Sequence, residues 1–195
     1  MSQKHFCIVG YQLALSDKFN NKSQFWPIAK RITEAGHKIS IISFKGSPGK
    51  PVVKDENMTA YFIGEEDLFV AKEDFADIAL EKILEINKEE SIDHVHSIDT
   101  PFDVKKRLLK KHKITLSYSV QVLELEKYFS SISLARSTTW GVAKTTFWYP
   151  LLFLINYITR EWKTLKGASG FFVSSPKQAL ALERYYLFPP KWIFQ

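Results

Sequence analysis

The chain has 195 residues, of which 45% are hydrophobic and 25% are charged, and this composition excludes an intrinsically disordered protein. Its formal net charge of +6 points to an anionic partner, such as a nucleic acid, a membrane surface or a phosphorylated substrate. The single cysteine, Cys7, excludes an internal disulfide, and the apolar run from Phe6 to Val9 is too short for a signal peptide, so we expect a cytoplasmic protein.

The first predicted elements form a βαβ unit. His5 to Gly10 predicts a buried strand, Gln24 to Gly36 predicts a helix that ends at a C-cap glycine, and His37 to Phe44 predicts a second strand. This order favours a parallel sheet, because a crossover helix brings the second strand back in the same direction. Gly46 to Asn57, rich in glycine, proline and charge, predicts a surface loop.

The alternation of strands and helices continues to the end of the chain. Further strands are predicted at Thr59–Ile63, Ile92–His96, Ile114–Tyr118 and Gly170–Val173, and further helices at Glu73–Glu90, Pro101–Lys111 and, after a Ser174-Ser175 cap, Lys177–Tyr185. The pattern predicts an α/β fold class: a Rossmann-like, doubly wound, mostly parallel sheet with helices on both faces, in one domain over residues 1–195. Leu187 to Gln195 resembles the start of another strand, so we expect a truncated product.

Candidate site residues are expected in the loops after the strands, because ligands of open α/β sheets bind beyond the carboxyl ends of the strands. After the first strand, Gly10 and Tyr11 open a long polar loop that includes Asn20, Asn21 and Lys22. The loop runs into a helix N-terminus, where free backbone N–H groups favour an anionic or hydroxyl-rich substrate. It lacks the glycine patterns of dinucleotide folds and P-loops, and a plain connecting loop is the alternative.

A second candidate site follows the strand at residues 92–96. His96 ends that strand and Asp99 begins the next helix, so the two form a candidate acid–base or hydrogen-bonding pair for a substrate hydroxyl. The alternatives are a structural histidine and a helix cap. His94 shares a face with His96, which permits a metal, but no third ligand is evident and no metal is predicted.

Two later strand ends supply weaker candidates. Tyr118 can donate a hydrogen bond but cannot act as a base at neutral pH, and Gln121 lies just beyond it. Ser174 can bind a substrate, although a helix cap is the simpler interpretation. The sequence contains no G-x-S-x-G, C-x-x-C or H-E-x-x-H motif, so the signatures of common hydrolases and metalloenzymes are absent.

The segment from Trp140 to Trp162 is aromatic and basic. Its uninterrupted apolar run, Phe147 to Ile155, is shorter than the roughly 20 residues that span a bilayer. Aromatic flanks and an excess of basic residues are typical of a helix that lies in a membrane interface, and a helix pair buried on the sheet is the alternative. The predicted membrane-contact residues are Trp140, Lys144, Phe147, Trp148 and Arg160.

Several ordered motifs resemble the N-terminal domain of retaining GT-B glycosyltransferases of family 4. Ile28 to Ile42 resembles that family's "LA-x-x-L-x-x-x-GH-x-V-x-V" helix and second strand, and Asp93 to His96 is similar to its "D-x-(V/I)-H". Gly167 to Pro176 and Glu183 to Ile193 resemble the "AD-x-(V/I)-(V/I)-x-x-S" and "Y-x-(V/I)-x-x-x-K-(V/I)" motifs that precede the interdomain crossing. The likeness covers essentially the whole chain.

The resemblance implies one half of a GT-B fold, the half that binds the sugar acceptor. The C-terminal domain that grips the nucleotide sugar is expected to be absent from this chain, so no cofactor is predicted beyond the nucleotide-sugar donor held by that domain. His96 keeps its match and Tyr118 stands where the family has a histidine, which makes both catalytic candidates. The family's glycine pair after the first strand is replaced around Asn20-Asn21-Lys22.

Two hypotheses follow from the resemblance. The first is an acceptor-binding domain of a glycosyltransferase that moves a sugar to a lipid-linked or cell-surface polysaccharide acceptor at the inner face of the plasma membrane. The isolated fragment is then inactive, because stabilising the leaving diphosphate needs groups from both sides of the cleft. The second is a non-catalytic acceptor-binding or membrane-recruiting subunit that pairs with a separate donor-binding chain. A nucleic-acid binder would rest on charge alone, so no specific nucleic acid is predicted as a partner.

Overall fold

The chain divides into two compact units, Met1–Ser119 and Val120–Gln195. The computed structural model describes residues 2–11, 13, 26–44, 52–55, 57–63, 72–98, 106–120, 123, 126, 148–157 and 161–195. The division does not test the single-domain prediction, which stays a prediction.

The first unit is built on a mostly parallel sheet. Its strands are β1 His5–Gly10, β2 Lys38–Ser43, β3 Val52–Asp55, β4 Met58–Phe62, β5 His94–Ser97 and β6 Thr115–Val120, and its helices are α1 Trp26–Glu34, α2 Lys72–Glu89 and α3 Lys106–Lys111. The strands lie in the order β3-β4-β2-β1-β5-β6. All neighbours are parallel except β3, which runs antiparallel to β4.

The strand order confirms the doubly wound, Rossmann-like prediction. The chain moves outward from β1 through β2 to β4, and then returns to place β5 on the other side of β1. Because parallel crossovers are right-handed, the two directions put their helices on opposite faces of the sheet. The order reverses between β1 and β5, and the ligand crevice of such folds opens at that point.

Helices cover both faces of the central strands. Ile8 of β1 packs in a buried cluster with Ala29 of α1 and Ile41 of β2. Cys7 is also fully buried, although adjacent residues of a strand point to opposite faces. On the second face, Phe75 of α2 contacts the aromatic rings that follow β1 and β2. Burial on both sides explains why these strands are nearly continuous apolar runs.

The segment predicted as a loop from Gly46 to Asn57 contains a strand, so that prediction is wrong at Val52–Asp55. These four residues form β3 and pair with β4, with Asp55 opposite Met58. An edge strand that pairs locally needs few apolar residues, so its sequence carries only a weak strand signal. The surrounding glycines, prolines and charges are instead typical of a loop. Elsewhere in this unit the predicted strands are confirmed, with ends that move by one or two residues.

The second unit contains helix α4 Tyr149–Asn156, helix α5 Trp162–Leu165, strand β7 Gly170–Val173, helix α6 Pro176–Arg184, a 3₁₀ turn at Pro190–Trp192 and strand β8 Ile193–Phe194. Strands β7 and β8 are parallel, which confirms a strand near the end of the chain. The predicted cap is also confirmed, because Ser175 Oγ accepts a hydrogen bond of 3.3 Å from Gln178 N at the start of α6.

Aromatic rings form the core of the second unit. Phe188 lies 4.5 Å from Phe171 and 5.7 Å from Trp162 between ring centroids, and Tyr157 lies 5.0 Å from Tyr186. The Tyr186 hydroxyl donates a hydrogen bond to Glu161. None of the helices in the described ranges is both long enough and apolar enough to cross a bilayer.

Candidate functional site

The candidate site lies at the carboxyl ends of β1, β5 and β6, beside the point where the strand order reverses. In the sheet register, Ile8 of β1 is opposite His96 of β5, and Val9 is opposite Ser97. Ile98, which follows β5, donates a backbone hydrogen bond of 2.8 Å to Val9 O. These contacts align the carboxyl-terminal ends of β1 and β5 with each other at the crevice.

Gly10 is needed at the end of β1 because the chain folds back closely there. A Cβ atom on Gly10 would come within 2.5 Å of Leu13 Cδ2. Leu13 is fixed in turn, because its backbone N–H donates to Ser43 Oγ at the end of β2 over 3.0 Å. The Tyr11 ring is buried, with centroids 5.3 Å from Phe44 and 5.4 Å from Phe75. Whether Gly10 or Tyr11 contacts a substrate stays a prediction.

Two histidines of β5 and three hydroxyl residues of β6 form a ladder of hydrogen bonds on one face of the sheet. We call Thr115, His94, Ser117, His96 and Ser119 the histidine–hydroxyl chain. The four links are His94 Nδ1 to Thr115 Oγ1 at 2.6 Å, His94 Nε2 to Ser117 Oγ at 2.7 Å, His96 Nδ1 to Ser117 Oγ at 2.8 Å and His96 Nε2 to Ser119 Oγ at 2.9 Å. The ladder forms because the register pairs His94 with Thr115 and His96 with Ser117.

At the amino-terminal end of the chain, the backbone carbonyl of Asp93 accepts from Thr115 N over 3.2 Å and from Thr115 Oγ1 over 3.1 Å. Each ring nitrogen of a neutral histidine donates or accepts according to the tautomer. Because Ser117 has one hydroxyl proton, it donates to one histidine and accepts from the other, so the four links share one direction, which the tautomer selects.

The electrostatics of the site favour the neutral histidines that this direction requires. Burial, together with a smaller effect of charge repulsion from the neighbouring His94, lowers the pKa of His96 to about 4. Burial also lowers the pKa of His94. A pKa near 4 makes His96 a weak base at neutral pH, so its geometry suits hydrogen bonding to a ligand better than proton abstraction.

The ring nitrogens of His94 and His96 each bond a hydroxyl group. Within the part of the chain that the structure describes, no group of three or more His, Cys, Asp or Glu residues is arranged to hold a metal.

Tyr118 and His96 are not brought together. Tyr118 is opposite Ser97 in the register and is 4% exposed, whereas the neighbour of His96 is Ser117. Because side chains alternate along a strand, Tyr118 lies on the face of the sheet opposite to the histidine–hydroxyl chain. Tyr118 matches the family's histidine in sequence position. In the structure, Tyr118 does not lie beside His96.

Asp93 anchors the opposite end of the sheet. Its carboxylate accepts hydrogen bonds from His5 N at 2.9 Å and from Lys4 Nζ at 3.0 Å. The hydrogen bond from the His5 backbone lowers the pKa of Asp93 most strongly, against an opposing effect of burial. Asp93 therefore ties β1 to β5 at their amino-terminal ends, away from the crevice.

Ser174 lies directly after β7 in the second unit. Its backbone N–H and its hydroxyl both donate to Gln178 Oε1, over 3.1 and 3.0 Å. Gln178 is buried, and its Nε2 donates to Glu126 Oε2 over 3.0 Å, which also accepts from the Leu123 backbone. Ser174 is thus held by a polar network that the sequence did not reveal, and its contact with a substrate stays a prediction.

The other predicted site residues are outside or at the edge of the described residues. The predicted site residues that lie outside the described part of the chain are Asn20, Asn21, Lys22, Asp99, Gln121, Trp140, Lys144, Phe147 and Arg160. Trp148 is described, and its side chain is 61% exposed at the start of α4.

Sequence reasoning missed Thr115, Ser117 and Ser119. A signal was present, because His-x-His on one strand and Thr-x-Ser-x-Ser on the next strand both alternate with a period of two. The pairing register, which no single strand encodes, was needed to show that the two polar faces meet.

No protein-family model and no curated protein sequence matches this chain. Among solved structures, the chain is similar to sucrose-phosphate synthase from Thermosynechococcus elongatus, with 9% identity and a TM-score of 0.52 over 93% of this chain and 82% of that one. It is similar to UGT89C1 from Arabidopsis thaliana in complex with UDP-L-rhamnose, with 8% identity and a TM-score of 0.53 over 94% of this chain. A glycosyltransferase from Rickettsia africae ESF-5 aligns with 13% identity and a TM-score of 0.47 over 99% of this chain.

At these identities the comparisons show the fold alone. The chain has an α/β, Rossmann-like fold of the kind found in GT-B glycosyltransferases. It spans 46% of the Arabidopsis thaliana structure, which is less than half of that chain.

Proposed function

We propose that this chain is the N-terminal, acceptor-binding domain of a retaining GT-B glycosyltransferase of family 4. The enzyme would transfer a sugar from a nucleotide sugar to a lipid-linked or cell-surface polysaccharide acceptor. The observation that carries the proposal is the histidine–hydroxyl chain, which presents polar groups at the crevice of a glycosyltransferase-like fold. Such groups suit a ligand rich in hydroxyls.

A second domain or a separate subunit would supply the donor site. The Arabidopsis thaliana relative was solved with UDP-L-rhamnose, and this chain corresponds to 46% of that protein. We propose a nucleotide sugar as the donor here as well, held by that second domain or subunit. His96 would then bind the sugar acceptor, and Asn20, Asn21, Lys22 and Asp99 remain proposed contacts.

We also propose that the protein is cytoplasmic and binds peripherally to the inner face of the plasma membrane. Supporting this, Leu151, Leu152, Leu154 and Ile155 of α4 are each about half exposed, although all four are apolar. The sequence around α4 is rich in aromatic and basic residues, which favour the interface of an anionic bilayer.

The second candidate function is a non-catalytic acceptor-binding subunit. Two observations favour it: Tyr118 lies on the face opposite to His96, and His96 has a pKa of about 4. Neither residue is then placed to act as a base at neutral pH. In this case the separate donor-binding chain would supply the whole catalytic machinery.

Sugar transfer and acceptor binding together test the proposal. We would incubate the 195-residue chain with radiolabelled UDP-sugars and bacterial lipid extract, and measure product with and without a donor-binding domain supplied in trans. No turnover is expected from the chain alone, and turnover is expected with a donor-binding domain. Rapid turnover by the chain alone would show that this is not an acceptor half.

A variant separates the first candidate from the second. His96→Ala should lower transfer by the reconstituted enzyme at least tenfold, whereas His37→Ala, at the amino-terminal end of the sheet, serves as the matched control and should leave it unchanged. A non-catalytic subunit would instead show a loss of acceptor affinity with an unchanged rate at saturating acceptor.

A further inference from the structure

We infer that the carboxyl-terminal end of α3 is a docking surface for an anionic phospholipid bilayer. Its contacts are the exposed side chains of Arg107, Lys110, Lys111 and Lys113, which we call the α3 basic cluster. The inference rests on the proposed attachment to the inner face of the plasma membrane. It adds a contact in the first unit, whereas α4 belongs to the second.

The helix α3 ends in a Schellman motif. Ile114 N donates to Leu109 O and Lys113 N donates to Lys110 O, each over 3.0 Å. Lys113 stands between the helix and β6 with φ of +60°, in the left-handed region. Leu109 and Ile114 are both buried, as is usual for the apolar pair of this motif. The connection to β6 therefore needs a left-handed residue at position 113.

The connection between α1 and β2 has the same motif with glycine in that place. His37 N donates to Ile32 O over 3.1 Å, Gly36 N donates to Thr33 O over 2.9 Å, and φ of Gly36 is +82°. Glycine adopts this conformation freely, whereas the Cβ atom of a lysine strains it. The fold itself would be more stable with glycine at position 113, and the property that Lys113 adds is its charge.

The charges of the α3 basic cluster are not neutralised within the described part of the chain. Lys4 and Lys38, which lie at the amino-terminal ends of β1 and β2, form ion pairs with Asp93 and Glu90. Among the described residues, no acidic side chain forms such a pair with the α3 basic cluster. The sequence from residue 104 to residue 123 contains no aspartate or glutamate. The cluster is therefore a local excess of positive charge.

The α3 basic cluster is separate from the candidate site. Lys113 directly precedes the amino-terminal end of β6, where Thr115 is opposite His94. The crevice lies at the carboxyl ends of the same parallel strands, at the other edge of the sheet. Substitutions in the cluster therefore leave the site around His96 intact.

The composition of the cluster favours a bilayer over a nucleic acid. Its cations are three lysines and one arginine at the exposed end of a helix, beside the partly exposed Leu108. Such clusters are attracted to the anionic headgroups of a leaflet through charge and need no fixed geometry. Single-stranded nucleic acids instead stack on exposed aromatic rings. Tyr118 is the one Phe, Tyr or Trp residue from 104 to 120, and it is buried.

One substitution at Lys113 should have opposite effects on stability and on binding. Lys113→Gly relieves the backbone strain, so the midpoint of thermal unfolding of the 195-residue chain should rise by about 2 to 4 °C. The same variant should bind vesicles of phosphatidylcholine and phosphatidylglycerol in equal parts about fivefold more weakly, because one basic residue leaves the surface. Weaker binding by a more stable protein cannot result from unfolding. Lys113→Arg keeps both the charge and the strain, and should change neither quantity.

Removal of the other three charges tests the rest of the cluster. The triple variant Arg107→Gln, Lys110→Gln and Lys111→Gln should bind the same vesicles about a hundredfold more weakly. Added salt should weaken the binding of wild type more than that of the triple variant, because salt screens exposed charges. As a matched control, Lys30→Gln removes one charge from an exposed position of α1 and should change the binding by less than about twofold.

The outcomes separate this inference from the proposed attachment through α4. Equal vesicle binding by wild type and the triple variant would overturn the inference and leave α4 as the attachment. Binding that survives Leu151→Glu with Leu154→Glu but is lost in the triple variant would support the inference and contradict the role of α4. If the triple variant loses affinity for a short oligonucleotide but not for anionic vesicles, then the surface binds nucleic acid and the inference fails. An unfolding midpoint that does not rise in Lys113→Gly would overturn it as well.

Discussion

At the scale of single residues, the site depends on two histidines that are neutral in the folded protein. Burial accounts for most of the lowered pKa of both His94 and His96. The role of the two histidines is then directional hydrogen bonding, because a neutral imidazole donates at one nitrogen and accepts at the other. Protonation would give each ring two donors and would break this direction.

The lowered pKa of His96 predicts a pH dependence of stability. Its pKa is about 4 in the folded protein and about 6.5 when unfolded, so between these values the unfolded state binds more protons. The free energy of unfolding should therefore rise with pH from about 4 to 6.5, by at most about 3 kcal/mol from this residue. Urea titrations across this range should show a smaller rise for His96→Gln than for wild type. Equal pH profiles for the two proteins would contradict a buried neutral His96.

Ser117 should contribute more to stability than an ordinary serine. Its hydroxyl is buried and bonds both histidines, so Ser117→Ala leaves a ring nitrogen unpaired on each side. We expect a loss of about 2 to 3 kcal/mol in the free energy of unfolding measured in urea, against less than about 0.5 kcal/mol for the exposed Ser91→Ala. A loss as small as that of the control would show that the ladder does not form in solution.

At the scale of the elements, the end of α1 depends on a backbone conformation that favours glycine. Gly36 has φ of +82° and its N–H bonds Thr33 O at 2.9 Å, which closes the helix before β2 begins. No atom lies within 4 Å of a Cβ built on Gly36, so steric contact is not an issue and only backbone strain opposes a side chain. Gly36→Ala should lower the free energy of unfolding, measured by thermal denaturation, by about 1 kcal/mol. Gly36→Asn should lower it by less, because asparagine tolerates the left-handed region. If alanine and asparagine were equally harmless, the helix would not end in this conformation.

Most of the elements were predictable from sequence, because local patterns decide them. The strand at His5–Gly10 and the strand at Gly170–Val173 were predicted with their full bounds, as buried apolar runs next to glycine or serine signals. Strand β3 was missed because its pairing partner, and not its composition, makes it a strand. The hydroxyl half of the site was missed for the same reason: the meeting of His96 with Ser117 is a property of the register between β5 and β6.

At the scale of the whole molecule, the fold resembles that of solved glycosyltransferases, and in the proposed function the activity divides between this chain and a second domain or chain. In that proposal, this chain supplies the hydrogen-bonding groups for an acceptor with many hydroxyls. Stabilising a leaving nucleoside diphosphate needs charged or backbone donors aimed at its oxygens, and transfer should therefore depend on a second domain or chain. Acceptor affinity and transfer rate are thus expected to be separable by mutation.

The exposed apolar surface of α4 predicts how the molecule meets a membrane. Leu151 and Leu154 are 49% and 50% exposed, and in an interface they would leave water together with Trp148. The double variant Leu151→Glu with Leu154→Glu should reduce binding to vesicles of anionic phospholipid by about tenfold or more, since apolar burial is lost and two negative charges are added. Sedimentation with vesicles measures this, and rising salt should weaken the wild-type binding.

A matched control for this membrane prediction lies on another helix. Ile28 of α1 is 52% exposed, and Ile28→Glu changes the net charge by the same sign at a site with no basic aromatic flank. It should leave vesicle binding nearly unchanged. If Ile28→Glu weakens binding as much as each leucine variant alone, then the overall positive charge of the chain drives the attachment and α4 has no special part in it. If none of the variants binds less than wild type, then the exposed face of α4 does not contact lipid.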